Sequence, residues 1–229
     1  MAELVCVNAG RTAYEPTLRL QQQLWKHVAS SDQERAYLIL VEHDPPVITL
    51  GRGSRKEHIL ASRDQLAAEG IEVCESSRGG DVTYHGPGQL VGYPIIRLDH
   101  HGRDMHRYLR DLEEVVIRVL NGLGIKGQRL KKLAGVWVGD LKVAAIGVTV
   151  RRWISYHGFS LNVCPNLSHF NLIVPCGIND KRVTSLKQLA GTVASVDGLK
   201  QAVIESVVGV FGFDGSRWAM CEEISACGR

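Results

Sequence analysis

The chain has 229 residues, 45% of them hydrophobic and 22% charged, and its 27 basic against 24 acidic residues leave a formal charge of +3. That length can bury a full core, and with no Pro/Gly/Ser-rich linker and no repeat of about 20–50 residues it argues for a single domain over 1–229. The charge is too small for a nucleic-acid footprint, no apolar run reaches the roughly 18 residues of a membrane span, and the N-terminus lacks the order of a secretory signal, so a soluble, cytoplasmic protein is expected, with neither nucleic acid nor membrane as partner.

Pro16 opens a predicted helix through Val28, with Leu20, Leu24 and Val28 at i, i+4, i+8. Residues 37–41 and 47–50 read as short buried strands joined through Pro45-Pro46. Asp64 is the expected cap of a brief helix ending at Gly70, and Ile71 to Cys74 returns as a strand. A polar loop follows, then a strand from Gln89 to Ile96. Asp104 precedes a helical pattern in which Leu109, Leu112, Val116, Val119 and Leu120 share a face, ended by Gly122 or Gly124. Val136-Trp137-Val138 and Leu141-Lys142-Val143 flank Gly139-Asp140 as a two-residue hairpin, a register that sets Trp137 opposite Lys142. Trp153 to Val163 is a further strand, and Asp197 is the expected cap of a last helix facing inward through Leu199, Val203, Val207 and Val208. Helices outside a run of consecutive strands predict an α+β fold with a mixed, largely antiparallel sheet.

The densest signal is Arg78-Gly79-Gly80-Asp81-Val82-Thr83-Tyr84-His85-Gly86-Pro87-Gly88-Gln89-Leu90. Glycine lets main chain approach a ligand closely and proline fixes φ, so the side chains between them are held in one presentation, as in the wall of a binding site. Similar segments are Glu42-His43-Asp44-Pro45-Pro46, Lys142-Val143-Ala144-Ala145-Ile146-Gly147, His157-Gly158-Phe159-Ser160 and Pro175-Cys176-Gly177-Ile178. Together, over residues 36 to 190, they resemble the octanoyltransferase family of protein lipoylation, whose fold is like that of biotin and lipoate protein ligases.

The resemblance puts Cys176 where the family keeps its nucleophile and Lys142 where it keeps its general base. It implies a substrate wall of Arg78, Gly79, Gly80, Tyr84, His85, Gly86, Gly147, His157, Gly158 and His43. A tetrahedral oxyanion needs preorganised donors, and backbone N–H groups near Gly147 and Gly158 are the candidates because glycine allows close approach. The resemblance also implies an octanoyl or lipoyl transfer from acyl carrier protein to a lysine of a lipoyl domain, in the 2-oxoacid dehydrogenase complexes or the glycine cleavage H protein. The residues agree with that chemistry. A free thiol is only a few per cent thiolate at neutral pH, so a nucleophilic cysteine needs a base or cation beside it. Thioester to amide is downhill and needs no nucleotide, and the chain has no GxxxxGK[ST] phosphate loop. No cofactor or metal is expected, because the six cysteines lack metal spacing and His100-His101 reads as a solvated turn.

Two other chemistries fit the same residues. One is an ATP-dependent lipoate or biotin ligase, the other a cysteine hydrolase with His85 or His157 as base. Lys126, Arg129, Lys131 and Lys132, with Arg151-Arg152, read either as a solvated face or as a docking patch for an acidic protein.

Overall fold

The computed structural model describes residues 3–31, 35–174, 182–191 and 195–220. In chain order it contains β1 Leu4–Thr12, α1 Tyr14–Ser30, β2 Ala36–His43, β3 Val47–Leu50, α2 Arg63–Ala68, β4 Glu72–Glu75, β5 Val82–His85 and β6 Gln89–Ile95. There follow α3 Met105–Gly122, β7 Gln128–Leu130, β8 Leu133–Val138, β9 Leu141–Arg151, β10 Ile154–Asn162, β11 Arg182–Val183, α4 Leu186–Ala190, α5 Val196–Phe211 and β12 Ser216–Trp218. The main sheet runs β12-β1-β2-β6-β10-β9-β8-β7 with β11 also on β9, and a smaller sheet runs β4-β3-β5. Five of the main-sheet pairings are antiparallel, and β1–β12, β1–β2 and β9–β11 are parallel. This is the α+β fold expected.

Each face of the main sheet meets helices through apolar stripes of helical period. On one face α3 and α5 bury Leu112, Val116, Leu120, Val203 and Val207 against Leu38, Leu90 and Val143. On the other, α1 buries Leu24 and Val28 against Tyr37, Ile39 and Val91. A third cluster, with Ile48, Val82, Tyr84 and Phe170, belongs to the small sheet. Among the described residues no helix is long and apolar enough to cross a membrane.

Several local expectations shift. The two strands around Pro45-Pro46 are real but belong to different sheets, so the Asp44-Pro45 corner passes the chain from one to the other. The helix at residue 63 is capped by Ser62, whose hydroxyl accepts from Gln65 N–H in a capping box, and not by Asp64. The last helix is likewise capped by Ser195, while Asp197 pairs with Lys200 in its first turn. Asp104 does cap α3, accepting from His106 and Arg107 N–H. The polar loop before Gln89 is not all loop, since Val82–His85 forms β5.

Candidate active site

The 139–140 hairpin has the register its turn predicts: Val138 opposes Leu141 and Trp137 opposes Lys142. One step further the ladder slips, with Val136 opposite Ala144, so that Val143 has no counterpart on β8. Such a bulge bends a strand and re-aims its side chains. Lys142 is buried, and its Nζ lies 5.4 Å from the centre of the Trp137 ring. On its other side β9 pairs with β10 only as far as Ala144, opposite Leu161, and β11 takes over at Leu141 and Lys142. Lys142 therefore stands at a seam, where one neighbouring strand leaves the sheet and another enters.

Lys142 opens on a small pocket with Ala144, Asn162, Phe170 and Val183. Thr83, Ala145 and Ser160 form a wall shared between this pocket and a larger, partly open cleft. That cleft is lined by Arg78, Gly79, Gly80, His85, Gly147, His157 and Gly158 together with Val91, Ile146 and Phe159. Seven of the residues the sequence nominated thus meet around one space. Gly147 eases this approach: a Cβ there would lie 3.1 Å from the Gly79 carbonyl oxygen and 3.2 Å from Arg78 Cδ, so with any other residue the 78–80 loop would have to give by a few tenths of an ångström where it lies across β9.

The cleft sets a fixed cation among neutral rings. Arg78 is buried and donates from Nε to Thr49 Oγ1 at 3.0 Å, from Nη2 to the Thr49 carbonyl at 2.6 Å and from Nη1 to the Gly79 carbonyl at 3.1 Å. Burial, reinforced by the Arg78 charge, pushes the imidazoles of His85 and His157 down to about 3. His85 Nδ1–H donates to Gln89 Oε1 at 2.7 Å, because the Gln89 amide nitrogen donates to Asn162 Oδ1 and the Tyr84 carbonyl. Asn162 in turn donates to the Thr184 carbonyl, and Thr184 N–H to the Lys142 carbonyl, so a buried hydrogen-bonded chain runs from His85 to the lysine strand.

His157 has φ of 58°, uncommon for a residue other than glycine and a mark of a backbone held by its surroundings. Its N–H leaves the ladder to donate to Gln21 Oε1 of α1 at 2.8 Å, and its Nε2 meets Ser77 Oγ at 3.1 Å.

Three nominated residues stand elsewhere. Tyr84 pairs with Ile48 on β3 and His85 with Val47, and because strand side chains alternate, Tyr84 and His85 face opposite ways. Tyr84 joins the small-sheet core, its hydroxyl 2.8 Å from His169 Nδ1, and burial pushes it up to about 12. Gly86 lies over that ring, where a Cβ would overlap the Tyr84 hydroxyl, and so serves this packing rather than the cleft wall. His43 is fully buried one layer behind the cleft, between the Thr12 carbonyl and the Tyr93 hydroxyl, and burial lowers it to about 4. Of the basic cluster, Arg129 is committed to Glu113 and Glu114. Arg151 stacks on Trp25. His101 packs edge-on against Phe211, and among the described residues no group of side chains is arranged to hold a metal.

Cys176 lies outside the described residues, but the chain on either side of it is anchored. Val174 N–H donates to the His58 carbonyl, and Arg182 and Val183 pair with Leu141 and Lys142. Sequence reasoning missed Gln21 and Ser77, and gave Gln89 and Asn162 no role of their own within the segments that carry them. Gln21 carried a signal, as a polar residue on the apolar stripe of α1 with Leu24 and Val28.

A family model for the lipoyl protein ligase A/B catalytic domain matches residues 13–208. An octanoyltransferase from Chloroflexus aggregans is 47% identical over 214 residues, covering 92% of this chain and 96% of the relative. One from Myxococcus xanthus is 45% identical over 92% of this chain, which spans 60% of that longer relative. Among solved structures, a lipoate-protein ligase A bound with ATP superposes with a TM-score of 0.78 at 16% identity, covering 99% of this chain and 92% of the other. A biotin protein ligase from Aquifex aeolicus gives 0.54 at 12% identity, covering 93% and 71%. At those identities the likeness shows the fold alone.

Proposed function

The chain belongs to the lipoyl protein ligase A/B catalytic domain family, and from that premise we propose that it is an octanoyltransferase, moving an octanoyl or lipoyl group from acyl carrier protein to a lysine of a lipoyl domain through an acyl-enzyme on Cys176. The observation that carries the reading is the position of Lys142, buried at the strand seam beside the cleft, with the chain that follows Cys176 paired directly against it.

In the first half-reaction Lys142 takes the thiol proton and the Cys176 sulfur attacks the carrier thioester. The bond from carbonyl carbon to carrier sulfur breaks, and the proton goes to the departing thiolate. The acyl chain lies along Ala145, Ile146 and Phe159, and the glycines of the 78–80 loop and of β9 and β10 leave room for it. In the second, the acceptor lysine amine attacks the acyl-enzyme carbonyl, Lys142 accepts a proton from the amine, and the Cys176 thiolate leaves. The imidazoles of His85 and His157, pushed down to about 3 by burial, are weak proton acceptors, which disfavours them as the base of a hydrolase and leaves them to shape the cleft. The acceptors are lipoyl domains of the 2-oxoacid dehydrogenase complexes and the glycine cleavage H protein.

Intact-mass analysis after incubation with octanoyl carrier protein tests this. We expect an adduct of acyl mass on the wild type, absent from Cys176→Ser and Cys176→Ala, and discharged when a lipoyl domain is added. An unmodified wild type, or transfer from free octanoate and ATP with none from the carrier thioester, would overturn it.

A further inference from the structure

We infer that Glu113 is a positioning residue for Lys142, fixing the wall against which the lysine stem rests; this rests on the reading of Lys142 as proton acceptor. Glu113 is 1% exposed in the middle of α3, surrounded by the apolar residues that dock this helix on the sheet. A carboxyl group at such a depth is tolerated only when its oxygens are met. Its Oε2 faces Arg110 Nη1 at 2.7 Å and Arg129 Nε at 3.2 Å. Its Oε1 accepts from the backbone N–H of Gly135 at 3.0 Å.

That contact reaches the site directly. Gly135 has φ of +121°, and a Cβ there would lie 2.7 Å from Lys142 Cε and 2.5 Å from the Ala144 carbonyl oxygen. The backbone of Gly135 is therefore the wall of the slot that holds the lysine stem. The registered pairs of β8 on β9 begin at Val136, beside the Val143 bulge, so it is Glu113 and not the ladder that takes the Gly135 N–H. Truncating Glu113 leaves a buried N–H unmet next to a bulge and frees the wall to shift, and displacements of about 1 Å at a reacting group are enough to slow a reaction about 100-fold.

The test is a double-mutant cycle on Glu113→Ala and Lys142→Ala. It is read by acyl-enzyme formation and by the rate at which iodoacetamide alkylates Cys176, a step that needs the thiolate and stays measurable when transfer is lost. We expect Glu113→Ala alone to slow acyl-enzyme formation at least about tenfold and to slow alkylation, with no further effect on alkylation once Lys142 is alanine. Glu113→Gln, whose carbonyl still accepts from Gly135, should stay within about threefold of wild type. Additive losses in the double variant, a wild-type rate in Glu113→Ala, or a Gln variant as poor as the Ala variant would each overturn the inference. If Glu113→Ala does not fold, Glu113→Asp, which keeps the charge and withdraws the acceptor by one methylene, takes its place in the same cycle with the same readings. Near-normal transfer by Lys142→Ala would sink the reading of Lys142 itself, whereas loss there beside an unaffected Glu113→Ala would sink only the positioning role.

Discussion

Lys142 illustrates how a side chain acquires a role from its surroundings. In the sequence it is a lysine two residues past a turn, a position that usually faces solvent. In the fold it is enclosed by Trp137 across the hairpin, Val183 on the entering strand and the small pocket beside the cleft. We predict that Lys142→Ala loses acyl transfer by about 100-fold or more while thermal unfolding moves by only a few degrees, since what is lost from the fold is a stem packed on an indole and not a core residue. Paired activity and calorimetry measurements on the purified variant would decide it, and a large loss of stability with transfer intact would reverse the interpretation. The neighbours Tyr84 and His85 make the complementary point. Both were visible as residues held by the glycine-rich segment, but only strand alternation against β3 sends His85 to the cleft and Tyr84 to the small-sheet core.

At the scale of elements, the β8–β9 hairpin combines what local chemistry can specify with what it cannot. The Gly139-Asp140 turn fixes its register, and the pairing of Trp137 with Lys142 follows. The Val143 bulge has no local signature, and the Gly135 N–H beside it finds its acceptor in Glu113, which arrives from α3. We predict that Gly135→Ala destabilises the protein by about 1–3 kcal/mol and abolishes transfer, since the new methyl must enter the space of the Ala144 carbonyl and the lysine stem at a φ costly for any residue with a Cβ. Denaturant unfolding alongside the acyl-enzyme assay checks both parts, and an active variant of wild-type stability would show that the slot is not tightly held. The helix starts show a similar division. Ser62 and Ser195 cap where Asp64 and Asp197 were expected, a shift of two residues each, because serine and aspartate cap equally well and only the path of the chain chooses between them.

Across the whole molecule, burial has a pH signature. His43, His85 and His157 are held neutral inside, at about 4, 3 and 3 against an ordinary 6.5. Below about pH 6.5 the unfolded chain takes up protons at these positions and the folded chain does not, so stability present above that pH is lost progressively toward pH 3–4. For each histidine the loss is about 1.4 kcal/mol per pH unit in that window. We therefore expect thermal unfolding to be nearly flat from pH 8 to 7 and to fall steeply between pH 6 and 5, with a shallower fall in His157→Gln. A midpoint unchanged between pH 7 and 5 would mean that the three rings are open to protons in the folded state.

The sequence by itself determined the α+β composition, the 139–140 hairpin with its register, and the segments that meet at the cleft, because turn chemistry, apolar period and glycine-dependent close approach are local properties that a chain carries wherever it folds. Only the tertiary structure decided that the 78–80 loop lies across Gly147, that Tyr84 and His43 stand behind the cleft, and that Gln21 and Glu113 reach in from helices to hold backbone groups of β10 and β8. Those contacts join residues 22 to 136 positions apart. They exist only once the helices have docked, because a buried N–H must find its acceptor in three dimensions and nothing in its own neighbourhood says where that acceptor will come from.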